Sequence, residues 1–348
     1  MPASMYRKPI LPIVIIATAG LLYLAWAWNH VLVSEPQTIE VQRGSSLHGL
    51  AVQLQKQEIL HHRSAFVLLA RLRGDARNIK PGEYRVEPGL SAWQLLDRIV
   101  EGKVVQRRLG LIEGWSFRQF RAALDQADRL EHLTTSLTDK EIMAKLGLPD
   151  SHPEGWFFPD TYQYSLGVSD LDILARAHDR MKTELDRAWA TRAANIPLTN
   201  AYEVLILASI VEKETGQPQE RPMISGVFTN RLRKKMRLQT DPTVIYGMGD
   251  SYIGNIRKKD LLRDTPYNTY TRSGLPPTPI AMPGAGALTA AVNPAETKAL
   301  YFVARGDGSH VFSDTLKQHN DAVLHFQIRS RTRNYRSAPG EPGHTDKN

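Results

Sequence analysis

The chain has 348 residues, 42% of them apolar, which is enough for more than one folded domain. It has no cysteine, so disulfides and thiolate-bound zinc are excluded. A net charge of +8 suits an anionic partner. The basic residues are dispersed, however, and the small clusters Arg231-Arg233-Lys234-Lys235 and Arg329-Arg331-Arg333 fit no nucleic-acid module and read as solvated faces.

From Pro9 to Asn29 there is no charged residue, and Ile10–Trp28 is nearly all apolar. That is about 20 residues, the length needed to cross a hydrocarbon core. Arg7 and Lys8 precede it, and Tyr23, Trp26 and Trp28 sit toward its far end as an aromatic belt would. The alternative is a cleaved signal peptide, for which Trp26-Ala27-Trp28-Asn29-His30 is a poor cleavage site. The reading is one uncleaved anchor, a short cytoplasmic tail at 1–8, and the remainder outside the cytoplasm of a bacterium.

A loose repeat follows. Val41, Val86 and Leu111 are each followed by Gly three residues on (Gly44, Gly89, Gly114) and Ser two after that (Ser46, Ser91, Ser116). Each copy leads into an amphipathic stretch: Leu47–Leu54, Ala92–Ile99 and Phe117–Leu124. The pattern predicts strand, Gly turn, Ser N-cap and helix, unless the turn chemistry coincides by chance. With a helix over Ser64–Leu72 and a strand ending at Val86, residues 37–105 make a small α+β module.

Helices are predicted over Lys140–Leu146 and Asp170–Ala190. The aromatic-rich Glu154–Tyr162 between them is either a core plug or the wall of a sugar cleft. Next comes Leu205–Thr215, an apolar helix ending in two carboxylates. At about 100° per residue, with Glu214 at 0°, Leu207, Ile210 and Val211 fall at about 20°, −40° and 60°, and Glu212 at about 160°. Glu214 therefore sits on the apolar stripe, in the last turn of a helix. Desolvation and the dipole there favour a proton-holding acid. The other reading is a Glu that turns outward or pairs with a cation.

Glu220–Arg233 reads as a further helix, and Leu238–Tyr246 as loop-like and short. Pro- and Gly-rich loops follow, then a β-hairpin at Tyr301–Ala304 and His310–Phe312, a closing helix at Leu316–Arg329, and a disordered tail at 336–348. There is no HExxH, no GxGxxG behind a strand, no Walker loop and no nucleophile elbow. His310 and His319 lie apart without a third ligand, so neither a metal nor a cofactor is expected. Acid–base chemistry by carboxylates in a polar cleft remains, which points to glycosidic bond cleavage.

These residues resemble the YceG-like family of endolytic murein transglycosylases. The resemblance is carried by Ala208–Thr215, Phe228–Leu232, Met236–Gly247 and Tyr267–Tyr270, and extended by Glu154–Thr161, Gly274–Ile280 and Leu300–Phe312. It spans about residues 35–335. It implies an α+β protein with a transmembrane anchor at 9–29, a LysM-like module at 35–105 and a catalytic domain at 106–335. The family's catalytic Glu aligns with Glu214. The implied reaction cuts glycan strands internally, at the β-1,4 bond between N-acetylmuramic acid and N-acetylglucosamine, leaving 1,6-anhydro ends.

Supporting roles are more open. Glu220 could orient Glu214 or simply favour a helix N-terminus, and Glu212 is a second supporting candidate. Asn230, Gln239, Asp241, Tyr246, Asn268 and Tyr270 either hold sugar groups or brace loops. The expected partners are peptidoglycan strands, the membrane and, from the family and position, glycan polymerases such as penicillin-binding proteins. A water-using muramidase and a non-catalytic wall-binding scaffold are the competing functions.

Overall fold

The computed structural model describes residues 10–329 of a mixed α+β chain that divides into two compact units. The tails expected at 1–8 and 336–348 lie outside the described residues. The first unit runs to Arg107 and also takes in 129–131 and 163–168. It opens with α1 (Ile10–Asn29), which from Leu11 onward is long and apolar enough to cross a membrane.

Beyond α1, strand β1 (Gln37–Val41) leads to α2 (Leu47–Lys56) and α3 (Arg63–Leu72), and strand β2 (Gly82–Val86) leads to α4 (Ala92–Glu101). β1 and β2 pair antiparallel with Ile39 opposite Tyr84. Period-two alternation turns Ile39, Val41, Tyr84 and Val86 inward, where all are buried. The repeat is visible in atomic terms. Gly44 and Gly89 adopt φ of 79° and 86°, where a Cβ is disfavoured, and Ser46 and Ser91 cap α2 and α4.

The second unit holds 108–128, 132–162 and the chain from Ser169. Strands β3 (Arg107–Gly110) and β4 (Thr161–Tyr164) pair. The third copy of the repeat starts α5 (Phe117–Asp125), with Gly114 at φ 77° and Ser116 as the cap. α6 (Asp139–Lys145) and α7 (Asp170–Ala190) follow where their periodicity predicts, each with a capping box.

α8 (Ala201–Glu214) is the centre of this unit. Its Val204–Val211 stretch is buried on every side, so it has no single apolar stripe as expected from the sequence. α7, α9 (Arg221–Arg233), α10 (Asp241–Met248) and α12 (Ala285–Val292) all pack against it, and α11 (Lys258–Leu262) lies in the loop region between the last two. A helix enclosed by four neighbours is apolar all round. Truncating one of its leucines to alanine would cost about 2–5 kcal/mol.

α10 corrects the loop expected over Leu238–Tyr246. Pro242 stands in its first turn, where the missing N–H costs nothing, so the proline begins a helix instead of breaking one. The hairpin β5 (Tyr301–Ala304) and β6 (His310–Ser313) forms in register, Phe302 opposite Phe312. The closing helix is α13 (Leu316–Val323), which widens to π spacing over Leu324–Arg329.

Candidate active site

α8 ends because Thr215 turns extended (φ −144°, ψ 134°), which leaves Glu212 and Glu214 in the last turn facing different neighbours. The Glu212 side chain is 5% exposed and fully engaged. Oε1 accepts from Arg221 Nη2 at 2.7 Å, and Oε2 accepts from the Gly284 N–H at 3.0 Å. Burial pushes its carboxyl up from the ordinary value, while Arg221 holds it down. Glu212 is thus the carboxylate that pairs with a cation.

Glu214 has no such partner among the described residues. It lies deep in the fold yet keeps part of its surface open to a cavity. Its Oε1 accepts a hydrogen bond from the Thr240 hydroxyl. Burial is the main influence on it, and the nearby Asp241 charge adds to that. The Thr240 bond and the more distant Arg231 act the other way. The net effect lifts the carboxyl from 4.5 to about 7, so that near neutral pH a large share carries a proton.

The cavity is about 1180 Å³, above the 300–1,000 Å³ or so that encloses a single drug-sized ligand. Glu214, Asp241 and Tyr246 line it, together with Glu154, Ser116 and Tyr267. Glu154 is 3% exposed. Its Oε1 accepts from the Phe117 N–H at 3.0 Å, and its Oε2 from the Tyr246 hydroxyl at 3.1 Å. It therefore ties the start of α5 to α10, two elements that contribute to the cavity wall. Burial lifts its carboxyl to about 7 as well, against both hydrogen bonds.

The aromatics after Glu154 divide the two readings of that segment. Phe157 and Phe158 are buried, and Trp156 stacks on Tyr202 at 5.8 Å, so they are core. His152, Pro153 and Glu154 are cavity wall.

Other residues expected at the site are placed as follows. The Tyr270 hydroxyl donates to Asp241 Oδ1 at 2.6 Å, which holds the acid whose charge raises the Glu214 carboxyl. Asn230 Nδ2 donates to the Thr297 and Ala299 carbonyls, and Asn268, 1% exposed, donates to those of Asp260, Leu261 and Arg263. Both asparagines are loop braces, because their donors are occupied by main chain. Gln239 adopts φ 50° and puts its N–H on the Thr269 carbonyl. Glu220 has both oxygens on His310, accepting from its N–H at 2.9 Å and bonding its Nδ1 at 2.7 Å.

The sequence profile of the YceG-like family matches residues 39–325. The chain belongs to that family. Among YceG-like relatives, the endolytic murein transglycosylase of Bacillus subtilis is 31% identical over 82% of this chain and 83% of its own length. The pneumococcal endolytic murein transglycosylase is 26% identical over 84% of this chain, which spans only 59% of that longer protein. A crystal structure of a yceG-like protein from Listeria monocytogenes aligns with a TM-score of 0.51 at 30% identity, covering 83% of this chain and 99% of that one.

Two site residues fall inside segments that resemble the family but take no role of their own from the sequence. Thr240 is an ordinary hydroxyl beside a proline turn, and its contact with Glu214 crosses 26 positions. Glu154 opens the aromatic-rich segment that the sequence leaves open between core plug and cleft wall, and it lies on the cavity wall.

Proposed function

We propose that this chain is an endolytic murein transglycosylase in which Glu214 is the single acid–base catalyst. The observation that carries the reading is a carboxyl held near pKa 7 in the wall of a cavity large enough for an oligosaccharide. In this mechanism protonated Glu214 donates to the glycosidic oxygen between N-acetylmuramic acid and N-acetylglucosamine as the bond breaks with oxocarbenium character. The carboxylate left behind takes the proton from the muramyl C6 hydroxyl, whose oxygen attacks C1 and closes the 1,6-anhydro ring. One group acts as acid and then base, and the nucleophile is already part of the substrate.

A water-using muramidase would require a second, ionised carboxylate facing the sugar. The other carboxylates that line the cavity are already engaged: Glu154 by the Phe117 N–H and the Tyr246 hydroxyl, Asp241 by the Tyr270 hydroxyl, Asp139 by Arg121 and Asp250 by Arg118. That favours the intramolecular route.

In this reading α1 anchors the chain in the inner membrane with its N-terminus in the cytoplasm. The LysM-like module and catalytic unit lie in the periplasm, where nascent strands emerge from glycan polymerases. Cleavage there would terminate strand growth. The test is mass spectrometry of peptidoglycan digested by the wild type and by Glu214→Gln. Anhydro-ended fragments from the wild type and none from the variant are expected. Reducing ends, or full cleavage by Glu214→Gln, would overturn the assignment.

A further inference from the structure

α1 is not joined to its module by a flexible tether. Ala27 near its end is 3% exposed, Trp28 Nε1 donates to the Ala65 carbonyl at 2.8 Å, and the Leu32 N–H just beyond the helix donates to Leu90 O at 2.9 Å. Leu32 and Val33 then enter the same core as α2, α3 and α4. The depth of every nearby residue is therefore fixed relative to the apolar helix.

At that junction lies a cavity of about 300 Å³, lined by Tyr23 and Leu24 of α1 and by His61, His62, Arg63, Ser64 and Leu68 at the start of α3. Tyr23 shares a hydrogen bond of 3.1 Å with His62 Nδ1, and Trp26 packs edge-on to His62 at 4.9 Å. Tyr23 stands six residues before the helix end, about 9 Å along the axis, where aromatic side chains mark a membrane–water boundary.

Among the described residues no acidic side chain lines the cavity. Arg63 is half-buried and has no ion-pair partner among the described residues. Leu68, 39% exposed, and Leu72, 69% exposed, continue an apolar strip from the cavity along α3. Unpaired positive charge with imidazole and hydroxyl donors, opening onto exposed leucines at headgroup depth, complements an anion that carries hydrocarbon.

We propose that this cavity binds the phosphate headgroup of an anionic membrane lipid, with Arg63, His61, His62 and Ser64 on the phosphate and Leu24 and Leu68 against the first acyl carbons. The proposal rests on the reading of α1 as a membrane anchor. Bound this way, the lipid would hold the module flat against the bilayer.

The test uses the full chain in nanodiscs of equal phosphatidylglycerol and phosphatidylcholine, with native mass spectrometry counting the lipid retained on ejection. The wild type is expected to retain phosphatidylglycerol preferentially. Arg63→Ala should lower that preference about fivefold, the effect of one surface cation, and adding His61→Ala and His62→Ala should abolish it. Arg63→Lys, which keeps the charge and cannot be dismissed as misfolded, should retain most of it. Equal retention of the two lipids by the wild type, or unchanged preference in the Ala variants, overturns the site. Displacement of the lipid by inorganic phosphate binding equally well to delipidated protein would assign a free phosphate and overturn the lipid. An alkaline carbonate wash separates the premise. A wild-type chain that washes off vesicles has no anchor, whereas one that stays and shows no lipid preference has an anchor without this site.

Discussion

Replacing Glu214 by glutamine separates the acid from its surroundings, because the amide oxygen can still accept from Thr240. The Glu214 carboxyl sits at about 7 in the fold against 4.5 ordinarily. Between those values the folded protein holds a proton that the unfolded chain has lost, so stability falls as pH rises through the window. At about 1.4 kcal/mol per pH unit the full penalty, present above about pH 7, is about 3 kcal/mol. The open side toward the cavity makes that a ceiling. Glutamine never ionises. The variant should therefore melt only about 2 °C higher near pH 5, and at pH 8.5 higher by roughly 5–10 °C. The assay is calorimetry of the detergent-solubilised chain from pH 5 to 9, with muropeptide release measured in parallel. Wild-type kcat/KM should fall as pH rises through about 7, since the free enzyme must enter protonated. A melting difference that stays flat with pH would refute the electrostatic argument, and wild-type cleavage by the variant would refute the catalytic one.

Three further outcomes follow from neighbouring contacts. Thr240→Val removes a donor that favours the ionised form of Glu214, so the midpoint of the activity–pH profile should rise by up to about one pH unit; an unmoved profile would show that the hydroxyl does not tune the acid. Arg221→Met leaves Glu212 buried without its cation and should destabilise by about 3–5 kcal/mol in urea titrations. The loss should be smaller at pH 5, where Glu212 can take up a proton, and a pH-independent loss would contradict this account. Glu154→Ala strands the Phe117 N–H and the Tyr246 hydroxyl and should cost about 2–4 kcal/mol, with KM rising more than kcat falls as α5 and α10 lose their tie; unchanged stability would show that water replaces the carboxyl.

Local chemistry explains what could be read of the fold. The Gly–Ser repeat specifies conformation within five residues: a positive φ at Gly44, Gly89 and Gly114, then a hydroxyl that accepts from the first turn of the helix. α7 carries its own capping box and a regular buried face, so both ends could be placed. α12 was out of reach. Its sequence, AGALTAAV, gains helicity from packing on α8, α7 and α9, and has neither caps nor an amphipathic face to announce it.

The same distinction applies to the site. Helical arithmetic separates Glu212 from Glu214 by about 200° whatever surrounds the helix, and the two do face different neighbours. What it cannot supply is the identity of those neighbours. The apolar stripe inferred for Glu214 is absent, because α8 is buried all round. Two long-range facts distinguish the acids instead. Arg221 and the Gly284 N–H close around Glu212, while Glu214 meets one hydroxyl and an open cavity. Burial raises both carboxyls, but at Glu212 the cation beside it works against that rise, whereas at Glu214 the nearby Asp241 adds to it. Exchanging those surroundings is then the sharper test of the cause. Placing a cation next to Glu214 by Thr240→Lys should lower its pKa and suppress cleavage at neutral pH, with activity returning as the pH is lowered. If cleavage at pH 7 survived such a change in a folded protein, the raised pKa would not be what makes Glu214 the acid.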